Sequence, residues 1–520
     1  MLFNSYTFLF GFLPIALVGY QIAGHFHRKA VVAWLGLMSI AFYAYWRPPY
    51  VLLLLASIAL NYLSAALISR HIPNKISSRI WLWLAIVLNL GVLGYFKYFF
   101  PLLNFAASVG NSGRHWSNVV LPLGISFFTF TQIAYLVDLQ QGIAVQEDLS
   151  SYILFVSFFP HLIAGPILHH KDMMPQFRQD RLYRLRKDDL AVGFSWFIMG
   201  LGKKVLLADT FASTATLAYA FPGPLPALLA WRGLLCYALQ LYFDFSGYSD
   251  MALGLARMFS IDFPLNFASP YKSTSIIDFW QRWHITLTNY IMAYVYSPLQ
   301  FWISRRRQEQ GKKVSRKAQA TPEGFLNLIA LPTLFTLFVA GLWHGAGWKF
   351  IIYGLLHGVY ITVNHAWRIF RRNPAEPALR TPASRRATHV LSVLVTFLAV
   401  MVSQAFFRAA DCSQAVSMIA GLCGFHGRGA FHFPAEGTPM AAVDLLEMAI
   451  GFAIVWGLPN TQQILSRFHP SLHLSQWDEA ALPPRILWLP SPVWAIVMGC
   501  LFFAALVAVQ NPSTFLYFQF

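Results

Sequence analysis

Long apolar stretches, each bounded by a few charged or turn-forming residues, recur from one end of the chain to the other. An α-helix needs about 20 apolar residues to cross a bilayer core. Measured that way, spans are expected near 7–24, 30–46, 50–68, 80–100, 119–137, 151–168, 190–207, 225–245, 276–302, 324–342, 347–366, 388–408, 443–458 and 493–510. Two of these are unusually polar: 190–207 holds Lys203 and Lys204, and 276–302 holds Asp278, Arg282 and His284. A charge at bilayer depth costs at least about 2.5 kcal/mol. Both stretches are therefore expected at the interface, as re-entrant segments, or lining a wet cavity. In Phe159-Pro160-His161-Leu162-Ile163-Ala164-Gly165-Pro166 the two prolines predict a broken helix. The first stretch has neither the basic leader nor the small-residue cleavage site of a signal peptide, so it is expected to remain a span.

Basic residues gather between the spans. Arg28 and Lys29 follow the first, and Arg70, Lys75 and Arg79 the third. Further groups are Arg178, Arg181, Arg184, Arg186 and Lys187, then Arg305, Arg306, Arg307, Lys312, Lys313, Arg316 and Lys317, then Arg368, Arg371, Arg372, Arg380, Arg385 and Arg386. The positive-inside rule puts all of them in the cytoplasm, with the N-terminus and the loop 101–118 outside. The last two basic groups bracket 324–342 and 347–366. That pair must form a hairpin whose tip, Trp343 to Gly347, points away from the cytoplasm or stops inside the membrane. Two polar segments, about 425–441 and 460–492, are expected as small extramembrane caps.

Composition agrees with this reading. Of 520 residues, 57% are hydrophobic and 11% charged, against roughly 25% charged in soluble domains. That excludes a soluble enzyme, a disordered chain and a disulfide scaffold, and predicts an all-α polytopic membrane protein. The net charge of +17 is accounted for by inside loops and anionic headgroups, so no nucleic-acid partner is expected. Cys236, Cys412, Cys423 and Cys500 form no C-x-x-C pair, which indicates neither a zinc site nor disulfides. His169-His170 looks like a metal pair but lacks carboxylate partners, so no metal site is predicted.

Four motifs could carry chemistry. In Leu342-Trp343-His344-Gly345-Ala346-Gly347-Trp348, glycines let the hairpin tip leave helical geometry and the indoles of Trp343 and Trp348 can wall a pocket. A desolvated imidazole there stays neutral and can accept a proton from a hydroxyl nucleophile. The alternative is a structural histidine that closes the turn. In Phe279-Trp280-Gln281-Arg282-Trp283-His284-Ile285-Thr286-Leu287-Thr288, buried Arg282 and His284 would imply an aqueous or anionic cavity. The alternative is an interfacial aromatic belt with a snorkelling arginine. In Gln240 to Asp250, Asp244 and Asp250 could pair with Arg282 or Lys204, beside Tyr242 and Ser246. There the alternative is a helix break capped by Ser246 and Ser249. His161 lies in the broken helix, and broken helices survive in membranes where they line a cavity. His357 is expected inside the bundle, bonded to Tyr353, Tyr360 or a carbonyl.

Taken in order, these pieces resemble the membrane-bound O-acyltransferase family, and within it the bacterial branch that O-acetylates alginate. The likeness begins at Met1-Leu2-Phe3-Asn4-Ser5-Tyr6 and Leu93-Gly94-Tyr95-Phe96-Lys97-Tyr98. It runs through Leu121 to Phe128, His161 to Pro166, Leu241 to Asp250, Phe279 to Thr288 and Leu342 to Trp348. It ends with Pro459-Asn460-Thr461-Gln462-Gln463 and Phe515 to Phe520. The resemblance implies one membrane domain over 1–520, with N-terminal helices 1–150, a core with broken helices 151–370 and C-terminal helices 371–520. About 11–14 helices or re-entrant segments would ring a central tunnel.

The family's near-invariant histidine matches His344, and a second one, in a Trp-His motif before a Ser/Thr pair, matches His284. Trp343, Trp348, Trp283, Arg282, Asp244, Tyr242, Ser246 and His161 would line the tunnel. No bound cofactor is implied. An acyl group, acetyl by default, would come from a cytosolic thioester such as acetyl-CoA. It would go to a hydroxyl on the outer side of a bacterial inner membrane, on an exopolysaccharide or on the serine of a partner acetyltransferase, periplasmic or membrane-anchored, that serves the polysaccharide machinery. His344 would deprotonate the hydroxyl, with His284, Trp283 or backbone N–H groups steadying the oxyanion. The Arg-Asp pair and Gly-Gly-Asn run that this branch carries after the Trp-His motif are absent: the chain reads Leu287-Thr288-Asn289-Tyr290-Ile291-Met292-Ala293. A transporter or flippase, or a non-catalytic scaffold for a polysaccharide machine, would use the same broken helices and buried charges.

Overall fold

Backbone N–H and C=O groups in hydrocarbon have no water to bond, so a chain this apolar satisfies them within helices. The computed structural model is helical accordingly. It describes residues 1–111, 113–117, 119–371, 381–431, 441–469, 471–472, 482–509 and 515–516. Among these there is no strand, only isolated bridges between Pro264 and Leu472 and between Phe267 and Trp283. Arg372 and Arg380 of the last basic group, the middle of both polar segments and residues 517–520 lie outside the described residues.

Among the described residues, six helices are long and apolar enough to cross a membrane: Thr7–Gly24, Pro49–His71, Lys75–Val109, Lys187–Ala220, Pro322–His344 and Pro382–Arg408. The protein is a multi-pass membrane protein. Other expected spans are shorter, as in Arg28–Ala44 with 17 residues and Ile125–Gln140 with 16. Ala227–Met258 and Trp348–Phe370 are long but carry more polar side chains. The predicted break at 151–168 is present. Leu149–Ser157 ends at Phe158, and a single turn Phe159–Leu162 comes next. His161 repairs that break, its Nε2 lying 3.0 Å from the carbonyl oxygen of Phe155.

The chain forms two compact units that are interleaved along the sequence. One comprises Met1–Leu206, Asp244–Leu265 and Thr461–Phe520; the other comprises Leu207–Phe243 and Asn266–Asn460. In the first unit, two glycine pairs let helices touch backbone to backbone. A Cβ on Gly200 would stand 2.7 Å from the carbonyl oxygen of Gly247, and one on Gly254 would stand 2.6 Å from that of Gly193. Any side chain there would push the helices apart, a close-packing device common in membranes. The helix break considered for Gln240 to Asp250 does not occur. That segment lies within the continuous helix Ala227–Met258, and Ser246 is buried along it rather than capping an end.

The two lysines that made 190–207 look interfacial are paired instead. Lys204 Nζ is 2.6 Å from Asp244 Oδ1, with both side chains almost fully buried. Lys203 Nζ is 2.6 Å from Asp250 Oδ2. Asp250 also accepts hydrogen bonds from Trp196 Nε1 at 3.0 Å and Thr461 Oγ1 at 2.8 Å, and Asp244 Oδ2 accepts one from the Leu516 N–H at 3.0 Å. The carboxylates therefore tie Thr461 and Leu516 into this unit. Arg181, one of the loop cations, is engaged too. It bonds Asp189 at 3.1 Å and Asp262 at 2.6 Å, and Arg257 holds the same two carboxylates. His170 does meet a carboxylate, with Nδ1 3.3 Å from Asp138. Among the described residues, no group of three His, Cys, Asp or Glu is arranged to hold a metal.

Breaking one partner of a buried ion pair costs roughly 3–5 kcal/mol, because a charge is stranded. Lys204→Met is therefore expected to lower the thermal midpoint of the purified protein sharply, and Lys204→Met combined with Asp244→Asn to recover most of the loss. A double variant no more stable than the single one would show that the pair does not carry this stability.

Candidate active site

The second unit holds both histidine motifs. The predicted hairpin is formed by Pro322–His344 and Trp348–Phe370, joined by residues 345–347. Its arms meet at two glycines: a Cβ on Gly341 would lie 2.4 Å from the Phe350 carbonyl oxygen, and one on Gly354 2.2 Å from that of Leu337. The close approach carries His344 and Trp343 into the interior, 7% and 6% exposed. The His344 ring meets Phe407 edge-on at 5.0 Å and Tyr353 at 5.6 Å, with Trp343 4.8 Å away.

The other motif is a helix broken at its centre. Ile276–Arg282 is capped by Ser275, whose side chain accepts the Asp278 N–H. Arg282 Nε lies 2.7 Å from Asp278 within the same helix, so Arg282 has a carboxylate partner one turn away. The helix stops at Trp283, and His284 takes a left-handed backbone, φ 45° and ψ 53°, before Ile285–Ile291 begins. A side chain other than glycine rarely adopts that conformation, and it persists only when neighbours enforce it. The enforcing neighbour is the strip 266–268. Ala268 donates its N–H to the Arg282 carbonyl at 3.0 Å, and Ile285 donates to the Asn266 carbonyl at 3.0 Å. The side-chain oxygen of Asn266 lies 3.0 Å from His284 Nδ1, and accepts from Thr286 Oγ1 at 2.9 Å and the Thr286 N–H at 3.4 Å.

Aromatic rings close the site. Phe267 lies near-parallel to the His284 imidazole at 6.5 Å and edge-on to Trp283 at 5.0 Å. Tyr242 packs on Phe267 at 6.4 Å and on Tyr271 at 5.4 Å. The Trp343 ring is 6.2 Å from that of His284, so Trp343 neighbours both imidazoles. Five of the sequence-predicted residues, His344, His284, Trp343, Trp283 and Tyr242, thus come together. Trp348 is 65% exposed and stays outside the group. Asp244, Ser246 and His161 belong to the first unit.

His357 is fully buried, as expected, but its bonds differ from those predicted. Its ring packs on Tyr353 and Tyr360, while Trp280 Nε1 lies 3.2 Å from its Nδ1 and Ser403 Oγ 2.8 Å from its Nε2. An indole N–H can only donate, so Nδ1 accepts. In the neutral ring Nε2 then carries the proton and donates to Ser403, whose hydroxyl donates to the Val400 carbonyl at 2.6 Å. This chain ties the helix ahead of His284 to the hairpin arm and to Pro382–Arg408. Sequence reasoning missed Asn266 and Ser403. A lone amide in Pro264-Leu265-Asn266-Phe267 was the available signal for the first, and nothing marked the second.

Two buried histidines, from motifs far apart in sequence, thus share Trp343 as a neighbour. The family model for MBOAT, the membrane-bound O-acyltransferase family, matches residues 83–311. The chain is 34% identical to a peptidoglycan O-acetyltransferase of Helicobacter pylori, over 100% of this chain and 98% of that one. It is 36% identical to a probable alginate O-acetylase AlgI of Pseudomonas aeruginosa, over 82% of this chain and 75% of that one. A teichoic acid D-alanyltransferase of Streptococcus thermophilus is 27% identical over 55% of this chain and 68% of its own length. The chain belongs to the membrane-bound O-acyltransferase family and is an O-acyltransferase.

His357→Leu strands the Trp280 N–H, at about 1–3 kcal/mol for a buried donor left unpaired, and takes one hydrogen bond from Ser403, which keeps its bond to Val400. The expected result is a lower thermal midpoint, partly restored by His357→Gln, which keeps a donor and an acceptor. An unchanged midpoint in His357→Leu would show that the clamp is not needed.

Proposed function

We propose that the enzyme moves an acyl group, acetyl in the simplest case, from a cytosolic thioester such as acetyl-CoA to a hydroxyl on the outer side of a bacterial inner membrane. The product serves O-acetylation of a cell-surface polysaccharide, through a partner acetyltransferase that receives the group first. His344 acts as the base and His284 as its partner. The acceptor O–H gives its proton to the imidazole while its oxygen bonds to the acyl carbon. The C–S bond then breaks, and the leaving thiolate takes the proton, giving an ester and a free thiol. No step calls for a metal or a bound cofactor.

The observation that carries this reading is the pairing of two buried imidazoles, from motifs far apart in sequence, around one indole. Burial keeps water from the thioester and strengthens any hydrogen bond to the oxyanion. The relatives support the chemistry by their variety. They are named for peptidoglycan, alginate and teichoic acid, so acyl transfer is what they share and the acceptor is what changes. Basic groups between the spans fit a cytoplasmic donor side.

General base catalysis contributes about 10²–10⁴-fold. His344→Ala is expected to cut thiol release from acetyl-CoA, and surface O-acetylation in cells, by that range while the protein still folds and inserts. Wild-type thiol release in this variant would refute the mechanism. A transporter would move its solute with no thiol released at all.

A further inference from the structure

Asn266 both holds the bend of the chain at His284 and touches the imidazole. Its backbone carbonyl holds the Ile285 N–H, and its side-chain oxygen faces His284 Nδ1, Thr286 Oγ1 and the Thr286 N–H. That last contact decides more than position. A backbone N–H can only donate, so the Asn266 atom facing it is the amide oxygen and not the nitrogen. The same oxygen faces His284 Nδ1 at 3.0 Å. Two acceptors would repel at that distance, so Nδ1 must carry a hydrogen. A neutral imidazole has one N–H. His284 is 1% exposed and has Asn266 rather than a carboxylate on Nδ1, so its single hydrogen is committed there.

We infer that Asn266 fixes His284 as the Nδ1–H tautomer, so that Nε2 brings a lone pair to the active site, and that Asn266 is a positioning residue of the acyl transfer. The inference rests on the proposal that His284 is a partner in the reaction, and it changes the part His284 plays. Nε2 without a hydrogen cannot donate to the oxyanion. The oxyanion donors are then other N–H groups, with the Trp343 indole, which neighbours both histidines, the foremost. His284 acts as a hydrogen-bond or proton acceptor beside His344.

The test uses the full-length protein in nanodiscs, labelled with [15N]histidine, with His284→Gln supplying the difference spectrum that assigns the ring. The expected signature at neutral pH is a pyrrole-type Nδ1 and a pyridine-type Nε2. A pyrrole-type Nε2 would overturn the inference. Kinetics give a second reading. Asn266→Leu removes the acceptor and is expected to lower thiol release by roughly 10²–10⁴-fold, the scale of a lost acid–base contribution. Asn266→Asp keeps an oxygen facing Nδ1 and is expected to restore activity. Its negative charge stabilises the imidazolium, which has lost the Nε2 lone pair, so the acid limb of the pH profile should move to higher pH. A merely structural asparagine would leave that limb in place, and such a result overturns the assignment. If Asn266→Leu does not fold, the wild-type spectrum still decides. Full activity in His344→Ala would sink the proposed base while leaving the His284 signal unmoved; an Nε2–H signal sinks this inference alone.

Discussion

Every polar group placed inside this apolar bundle has to find its partner within the protein, because the surrounding hydrocarbon offers none. The constraint explains features that would look unrelated. Lys203 and Lys204 enter the interior only because Asp250 and Asp244 meet them. Where the chain breaks at Phe158, the Phe155 carbonyl is met by His161. The bend at Trp283 and His284 is closed by Asn266, and the Trp280 indole by His357. In each case a side chain meets a polar group that the hydrocarbon would leave stranded.

The same constraint shapes the candidate active site. His284 occupies a backbone conformation that costs free energy, held by a strip of three residues that has no regular structure of its own. The hairpin reaches His344 through glycines that allow its arms to touch. Tyr353 and Phe407 then frame one imidazole and Phe267 the other. Rings packed in this way have few rotamers left, so each imidazole is held in a fixed pose. His284 rests on Asn266, while His357 and Ser403 brace the helix ahead of it through Trp280.

The relatives differ in the polymer for which they are named, yet 34% identity extends over all of this chain in one case. Such a pattern fits a shared acyl-transfer framework, with the variation lying in the group that receives the acyl chain. The match to the family model stops at residue 311, short of the hairpin, while the Helicobacter relative matches through it. The missing Arg-Asp pair and Gly-Gly-Asn run fall just after His284, where the chain continues as Ile285–Ile291 and a wide turn at Met292–Tyr296. The departure therefore alters the segment beyond the broken helix and leaves the histidine itself in place.

Hydrophobic length alone determined that the protein is helical and crosses a membrane repeatedly, because burying a bare backbone in lipid has few solutions. Glycine, proline and histidine spacing marked the hairpin tip, the break near His161 and the motif around His284, since those residues act on their own few neighbours. Spacing could not say which stretches are full spans, because pairing decides whether a charge is tolerable, and the partners of Lys203 and Lys204 lie on a later helix. It left His357 with the wrong bonds and passed over Asn266 and Ser403, whose roles exist only through the groups they touch. Hydrogen bonds between residues remote in sequence have no period and no local signature. The chain's own pattern thus determined the membrane and the two motifs, and tertiary structure decided which side chains meet them, as Asn266 meets His284.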